Sequence, residues 1–175
     1  ELHILNQHLE KVSLTDVLTK LPNRRHAIQC MVDLWKDSIE SDSVFSCIMV
    51  DADYFKQIND NYGHDAGDEV LVRLAQTLMG AVRTDDTVCR LGGDEFLIVC
   101  PNTEQEGVKK VAMNIFKDVS NLQFIAGAGV WQGSISVGVA TKKIDTKCYE
   151  ELLKMADNGL YDAKRDGRNC IRYSA

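Results

Sequence analysis

Two glycines and two acidic residues interrupt an apolar stretch of the sequence, RLGGDEFLIV at residues 90–99. Gly92 and Gly93 predict a hairpin turn between two strands, because glycine adopts positive φ angles without steric cost. Asp94 and Glu95 are poor strand residues, and neighbouring carboxylates repel each other unless a cation lies between them. The stretch therefore predicts a turn whose acids serve a cation.

A second pair of acids follows an apolar run with β-branched residues, VFSCIMVD at residues 44–51, which predicts a central strand ending at Asp51. Asp53 lies two residues further on. If this strand lies beside the hairpin, Asp51 faces Asp94 and Glu95 across one edge of the sheet. Three or four carboxylates converging there would suit Mg²⁺ and would not suit zinc, although each acid alone is more simply explained as a solvated turn residue.

Cationic residues that could bind phosphates occur as well. Lys56 stands at the start of a helical turn that begins near Phe55, and the free N–H groups of a helix N-terminus bind anions. Lys164 and Arg168 lie near the last helix, where a solvated helix face is the alternative explanation. The P-loop pattern G-x-x-x-x-G-K-[ST] is absent from the sequence. Carboxylates, Mg²⁺ and basic residues without a P-loop indicate nucleotidyl transfer with two metal ions.

The elements that must position these residues alternate along the chain. Periodicity predicts helices over residues 23–38, 103–119 and 149–167, and a helix reaching residue 82 after a short helical turn at 55–58 and a loop at 61–64. Strands are predicted at 44–51, on both sides of the glycine turn, at 133–141 and at 170–174. This order favours a layered α/β domain of the α+β type with a largely antiparallel sheet.

Composition narrows the function classes. The 175 residues carry a net charge of −6, which argues against general binding of nucleic acid. No apolar run reaches the length of a membrane span, so we expect a cytoplasmic segment without membrane contact. The chain begins at Glu1, so we expect a fragment whose upstream part could carry an anchor. The six cysteines lack zinc or disulfide spacing and are expected to be reduced: Cys30, Cys47, Cys89, Cys100, Cys148 and Cys170.

Five motifs then occur in one order and spacing: DVLTKLPNRR at 16–25, DADYFKQINDNYGHDAGD at 51–68, RLGGDEF at 90–96, ISVGVA at 135–140 and ADNGLYDAKRDGRN at 156–169. With them the chain resembles the GGDEF domain of bacterial diguanylate cyclases from about Asp16 to Asn169. The resemblance implies a fold like the polymerase palm and the nucleotidyl cyclases, with a mostly antiparallel five-stranded sheet wrapped by helices. It also implies the end of a helical signalling stalk at 1–13 and a catalytic domain at 14–175.

The family condenses two GTP into cyclic di-GMP and two pyrophosphates, and the resemblance implies a role for each matching residue. Mg²⁺, two ions per half-site with Mn²⁺ as a possible substitute, would be bound by Asp51, the Ala52 carbonyl, Asp94 and Glu95. Asp94, Glu95 and Lys56 would be catalytic, with Asp94 the family's candidate for accepting the proton of the 3′-hydroxyl. The implied substrate-binding residues are Asn59, Asp68 and His64 for guanine, Lys56, Lys164 and Arg168 for phosphates, and Phe55, Gly92 and Gly93 beside the nucleotide.

Assembly and regulation follow from the same resemblance. Each family domain binds one GTP, so a homodimer of facing domains is required for catalysis. Leu2, Leu5, Leu9 and Val12 keep the 3-4-3 spacing of a heptad, which fits a stalk from an upstream sensor domain and equally an ordinary amphipathic helix. Arg83 and Asp86 match the inhibitory R-x-x-D motif that binds cyclic di-GMP, while Asn114 stands where a further basic residue is common.

Two other function classes compete with an active cyclase. One is a binding module that senses GTP or cyclic di-GMP without turnover, which is disfavoured because the signature acids and Lys56 are retained. The other is a nucleotidyl cyclase acting on another base, which should lack the guanine pair of Asn59 and Asp68. Competition between ATP and GTP would separate that enzyme from a guanine-specific one.

Overall fold

The computed structural model describes residues 1–174, except for the side chains of residues 8 and 10–12. Its helices are α1 (Leu2–Val12), α2 (Arg24–Glu40), α3 (Phe55–Tyr62), α4 (His64–Ala81), α5 (Gln105–Ser120) and α6 (Tyr149–Arg165). Its strands are β1 (Ser46–Ala52), β2 (Thr87–Gly92), β3 (Glu95–Cys100), β4 (Gln123–Ala126), β5 (Gly129–Gln132), β6 (Ile135–Thr141) and β7 (Ile171–Tyr173).

A five-stranded sheet in the order β2-β3-β1-β6-β7 forms the centre of the domain. β1 pairs antiparallel with β3 and β6, β2 pairs antiparallel with β3, and only the β6–β7 pair is parallel. The register places Asp51 opposite Glu95 of β3 and Ser136 of β6. The predicted mostly antiparallel α/β sheet is therefore confirmed, with Asp51 at the end of its central strand.

Helices cover both faces of this sheet, so the central strand β1 is buried along its whole length. The side chains of β1 alternate between the two faces. One face carries Ile48 and Val50 and packs against α4 and α5. The opposite face carries Cys47 and Met49 and packs against α2 and α6. The domain is thus a three-layer sandwich, and the predicted metal-binding Asp51 lies at the end of the central strand of its middle layer.

Two glycines bring α6 unusually close to the sheet. A Cβ at Gly138 of β6 would overlap the carbonyl oxygen of Ala156 and the backbone nitrogen of Leu160. A Cβ at Gly159 of α6 would lie 2.9 Å from the Arg172 carbonyl oxygen and 3.1 Å from the Gly138 Cα. This backbone contact fixes the position of α6, which carries Lys164.

The sequence prediction differs from the structure in two places. α3 continues to Tyr62 and leaves only Gly63 between α3 and α4, so the predicted loop at 61–64 is wrong. Gly63 has a φ of 89°, which lets two helices follow each other directly. The separate β4–β5 hairpin was not predicted at all, because its strands have only four residues each.

The described residues include the N-terminal segment and all six cysteines, and the role of a signalling stalk stays a prediction. α1 is helical, and Leu2, Leu5 and Leu9 are exposed, while the side chain of Val12 lies outside the described residues. All six cysteines are free thiols, and Cys47, Cys89 and Cys100 are buried. Ala175, the end of the predicted catalytic domain, also lies outside the description. Among residues 1–174, no helix is long and apolar enough to cross a membrane.

Candidate active site

The predicted acids except Glu95 meet the predicted cationic residues in a cavity of about 270 Å³ at the end of β1, which we call the acidic cavity. It is lined by residues 51–57, Asp94, Lys164 and Arg168. The end of β1, the start of α3, the β2–β3 turn and the end of α6 each contribute one part. The sheet therefore brings together residues that lie more than a hundred positions apart in the sequence.

Asp51 and Asp94 are the two carboxylates that share this cavity. Asp51 is 5% exposed, and its Oδ1 has no hydrogen-bond partner among the described residues. Burial and, after it, the neighbouring Asp94 raise the pKa of Asp51 to about 7, against the opposing effect of Lys164. Lys164 pairs with Asp51 Oδ2, and the N–H of Ala52 donates to the Asp94 carbonyl at 3.2 Å. Burial and mutual repulsion thus disfavour two charged carboxylates here, and a bound cation would stabilise them.

These residues fit a magnesium ion that completes its coordination with substrate. Among the residues described, no group of three or more His, Cys, Asp or Glu side chains is close enough to hold a metal by itself. Two carboxylates converge rather than the expected three or four. Mg²⁺ is commonly bound by one or two carboxylates together with water and substrate phosphates. The orphaned Asp51 oxygen and the adjacent Asp94 supply that partial set.

Glu95 lies beside this site and does not line the acidic cavity. Although it is the register partner of Asp51, it lines an adjoining cavity of about 370 Å³ with Arg24, Lys154 and Asp157. Burial lowers the pKa of Lys164, but contact with Asp51 raises it above its usual value, and the charges of Asp94 and Glu95 add to that rise. Metal binding and catalysis by Glu95 therefore stay predictions that require its side chain to turn toward Asp94.

Asp53 is held by the protein itself. Its carboxylate, 4% exposed, accepts hydrogen bonds from the Ser134 and Ser136 hydroxyls at 2.6 Å each. It also accepts from the Asn169 N–H at 3.0 Å. With both oxygens occupied, Asp53 joins the end of β1 to β6 and to the loop that carries Arg168, and it is not free to bind a metal.

The cationic side of the cavity surrounds the start of α3. Tyr54 precedes this helix with a φ of 59° and provides no side-chain cap, so the first N–H groups of α3 remain available to an anion. Lys56 stands in that first turn. The backbone of Arg168 is also in the left-handed region, with a φ of 65°. Its guanidinium carbon Cζ lies 5.3 Å from the centre of the Tyr54 ring. Together with Lys164, these groups give the cavity a cationic side, and phosphate binding there stays a prediction.

The predicted guanine-binding residues lie on α3 and α4, outside the acidic cavity. Asn59 is half-buried against α4, whereas Asp68 and His64 are exposed on α4. Phe55, at the start of α3, lines the acidic cavity and packs on the core. The α3–α4 pair therefore places the predicted base-recognition residues next to the predicted phosphate-binding residues.

Both glycines of the β2–β3 turn need their backbone freedom. Gly92 and Gly93 have φ angles of 137° and 52°, and no protein atom lies within 4 Å of a Cβ built at either position. The turn is thus open on the side where the predicted nucleotide would approach.

Arg83 and Asp86, which lie just before β2, form an ion pair with each other. The Asp86 side chain is fully enclosed, and its oxygens accept from Arg83 Nη2 at 2.7 Å and from Arg83 Nε at 3.0 Å. Arg83 Nη2 also donates to the Thr103 hydroxyl. Guanine binding by Asp86 would require this pair to open, and it stays a prediction.

Sequence reasoning missed Arg90 as a connection into this site. Its guanidinium donates to the Gly93 carbonyl at 2.9 and 3.1 Å and to both Asp16 oxygens at 3.1 Å. Arg90 therefore ties the turn that bears Asp94 to the segment following α1. The available signal was that Asp16 and Arg90 open two of the five motifs without an assigned role.

Comparison with known proteins agrees with this geometry. Residues 13–170 match the family model described as "Diguanylate cyclase, GGDEF domain". The response regulator PleD of Caulobacter vibrioides is 38% identical over 94% of this chain, which spans 37% of that relative. The structure resembles diguanylate cyclase SiaD from Pseudomonas aeruginosa, solved with its activator SiaC, with a TM-score of 0.87, 34% identity and coverage of 98% of this chain and 66% of that one.

A second solved structure is the GGDEF domain of DgcB from Caulobacter crescentus in complex with c-di-GMP. Its TM-score is 0.87 at 26% identity, and the match covers 92% of this chain and 93% of that one. The family model covers most of the chain, and the fold and motif order agree with it. The chain therefore belongs to the diguanylate cyclase GGDEF domain family.

Proposed function

We propose that this domain is an active diguanylate cyclase that joins two GTP molecules into cyclic di-GMP. The observation that carries the proposal is the acidic cavity, where the Asp51–Asp94 pair faces Lys56, Lys164 and Arg168. A module that only binds nucleotide does not have to activate a hydroxyl, so it could lose one of these acids and still function. The retained acids thus favour turnover over a silent binding module.

In the proposed reaction, the 3′-hydroxyl oxygen of each GTP attacks the α-phosphorus of the other. Each attack forms a phosphodiester bond, breaks the α–β bond, releases pyrophosphate and frees the hydroxyl proton. Asp94 lies at the turn where that proton would be accepted. The first turn of α3, Lys56, Lys164 and Arg168 would hold the triphosphate and its leaving group.

Mg²⁺ is the proposed cofactor. Asp51, Asp94 and the Ala52 carbonyl would hold it, with two ions per half-site and Mn²⁺ as a substitute. When bound, the ion neutralises phosphate charge and acidifies the attacking hydroxyl. Lys164 now neutralises Asp51, so we expect it to shift toward the phosphates when the metal enters.

Guanine selection is assigned to Asn59 and Asp68, with His64 beside them. A carboxylate accepts from N1–H and N2–H of guanine, and an amide can serve a second edge of the base. Adenine does not offer the N1–H and N2–H donors. This pair is the feature that distinguishes the proposed enzyme from a cyclase for another nucleotide.

Two copies of the domain are needed, because each acidic cavity holds one GTP. The exposed stripe of Leu2, Leu5 and Leu9 fits a helical stalk that aligns two domains across a two-fold axis. The chain spans 37% of PleD, which leaves room for an upstream sensor domain in the whole protein. We place the domain in the cytoplasm because its proposed substrate, GTP, is found there.

Product inhibition through Arg83 and Asp86 is part of the same proposal. It is supported by the R-x-x-D spacing before the signature turn and by the c-di-GMP complex of the DgcB domain. The side chain of Arg83 is half-exposed, and its Nη1 has no hydrogen-bond partner among the described residues. Asp86 accepts from Nε and Nη2 and thereby orients the guanidinium. In this arrangement Arg83 is the contact residue.

The experiment that tests the function is product identification by chromatography after incubation with GTP and Mg²⁺ over a range of protein concentrations. We expect cyclic di-GMP, with a rate that rises more steeply than the first power of protein concentration. Asp94→Asn should abolish product while the protein stays folded, because the Asp94 side chain interacts with Asp51 and with the charge of Lys164 inside the cavity and not with the core. Asp145→Asn, an exposed acid in the loop after β6, is the matched control.

Absence of product at every concentration, even after fusion to a constitutive dimeric coiled coil, would contradict the cyclase and favour the binding module. Product from a folded Asp94→Asn protein would contradict the assignment of the metal site. ATP competing as strongly as GTP would favour a nucleotidyl cyclase for another base.

A further inference from the structure

Helices α3 and α4 pack against each other at a single glycine. Gly67 is the fourth residue of α4 and is buried. A Cβ at this position would overlap the Asn59 side-chain oxygen and lie 2.9 Å from Asn59 Cγ and 3.3 Å from Phe55 Cε2. Phe55 and Asn59 are four residues apart and share one face of α3. The missing side chain of Gly67 thus leaves the space that both residues occupy.

The atoms that a methyl group would strike belong to flexible side chains. At Gly67 the overlap falls on the end of the Asn59 carboxamide, and no backbone atom is among the closest neighbours. At Gly138, by contrast, the overlap falls on the backbone of α6. Alanine at position 67 is therefore expected to displace the Asn59 carboxamide while both helices stay in place.

We propose that Gly67 is a specificity-determining position that sets where the Asn59 carboxamide lies beside Asp68, and hence the affinity of the site for guanine nucleotides. Asp68 directly follows Gly67 in α4, so the contact of Asn59 with the bare Cα of Gly67 lies one residue from the other proposed guanine-binding residue. The inference rests on the proposed function, because it takes Asn59 as a residue that contacts guanine.

The probe is 3′-deoxy-GTP, which lacks the attacking hydroxyl and reports binding without turnover. Its affinity is measured by calorimetry in Mg²⁺ for the unaltered chain and for Gly67→Ala, with 3′-deoxy-ATP as the comparison nucleotide. Displacing one hydrogen-bonding amide should weaken 3′-deoxy-GTP binding about threefold to tenfold. The affinity for 3′-deoxy-ATP should not fall with it.

Gly80→Ala is the matched control, since Gly80 is an exposed residue of the same helix. No atom lies within 4 Å of a Cβ at Gly80, so both variants replace a helical glycine but only one meets a neighbour. Gly80→Ala should bind 3′-deoxy-GTP as the unaltered chain does. Equal weakening in both variants would overturn the inference, because the cause would then be the helix and not the contact.

Asn59→Ala completes a double-mutant cycle. If Gly67 acts through Asn59, adding Gly67→Ala to Asn59→Ala should change the affinity less than about twofold. The same loss in both backgrounds would overturn the inference. If Gly67→Ala fails to fold because its methyl group meets Asn59, the inference requires that the double variant Gly67→Ala/Asn59→Ala folds. A double variant that also fails to fold would overturn it, because a group other than Asn59 would then exclude the methyl group.

The double-mutant cycle also distinguishes a failure of this inference from a failure of the proposed function on which it rests. If Asn59→Ala binds 3′-deoxy-GTP as tightly as the unaltered chain, the guanine role of Asn59 is wrong and the inference falls with it. If Asn59→Ala binds weakly while Gly67→Ala binds normally, only the role of Gly67 is wrong.

Discussion

At the scale of single residues, Asp51 and Asp53 show why neighbouring acids differ. Asp51 is buried with one oxygen unpaired, whereas both oxygens of Asp53 accept hydrogen bonds. The Asp53 partners Ser134, Ser136 and Asn169 lie 81, 83 and 116 residues away in the sequence. The sequence could therefore predict acids at a strand end, but it could not predict which of them is already occupied.

This difference predicts the effect of Asp53→Ala. Removing three hydrogen bonds to a buried carboxylate, and leaving two hydroxyls without it, should lower the free energy of unfolding by about 3 kcal/mol. The KM for GTP should rise as well, because Asn169 adjoins Arg168. Denaturant unfolding and steady-state kinetics measure the two effects.

Asp145→Ala, an exposed acid, is the control and should stay within about 0.5 kcal/mol of the unaltered chain. An Asp53→Ala protein as stable as this control would contradict the role given to Asp53. Loss of stability without any change in KM would show that Asp53 does not position the loop that carries Arg168.

At the scale of elements, the sequence predicted the long helices and the central strands because their apolar periodicity is strong. It missed the β4–β5 hairpin, whose buried Trp131 packs on Phe124 with ring centres 5.5 Å apart. It also missed the contact of Gly138 with Gly159, since close approach of two backbones leaves no apolar pattern. These features depend on tertiary packing, which a single sequence does not display.

The segment between α1 and α2 is held to the signature turn through Arg90. The Asp16 carboxylate accepts from the Thr19 N–H and hydroxyl at 2.8 and 2.7 Å as well as from Arg90. Burial alone would raise the pKa of Asp16, but these hydrogen bonds outweigh it, so the pKa lies below its usual value. The charged form of Asp16 therefore stabilises the fold.

A carboxyl whose pKa is lowered by folding stabilises the protein above its unfolded pKa, and the contribution is lost as the pH falls through the folded pKa. Asp16→Asn should thus lower the free energy of unfolding by about 1 kcal/mol at pH 7. The gap between variant and unaltered chain should close as the pH falls below about 4. Urea unfolding at a series of pH values measures it, with Asp145→Asn as the control. A gap that stays constant down to about pH 3 would contradict the charge-based explanation.

At the scale of the whole molecule, the domain has the acidic cavity at the end of β1 and the exposed leucine stripe on α1. The five motifs and the apolar pattern were enough to predict the family, the mostly antiparallel sheet and most of the charged residues that line the cavity. It could not predict that Glu95 lines the adjoining cavity or that Asp86 is enclosed by Arg83, because both depend on side-chain packing. In the proposed dimer, a second copy of the domain binds the other GTP.

Dimer formation through the leucine stripe gives the last prediction. Glutamates in place of Leu5 and Leu9 put charge where two stalk helices would pack, so Leu5→Glu/Leu9→Glu should shift the chain toward monomer and lower the rate of cyclic di-GMP formation at a given protein concentration. Sedimentation velocity and product assays over the same concentrations measure both effects.

Gln7→Glu is the control, because Gln7 is exposed on α1 outside the stripe and gains a similar charge. Binding of 3′-deoxy-GTP to a single domain should stay unchanged in every variant, since α1 does not line the acidic cavity. If the double variant sediments and turns over like Gln7→Glu, the stripe packs on something other than a second stalk, and alignment of the two domains must come from their catalytic faces.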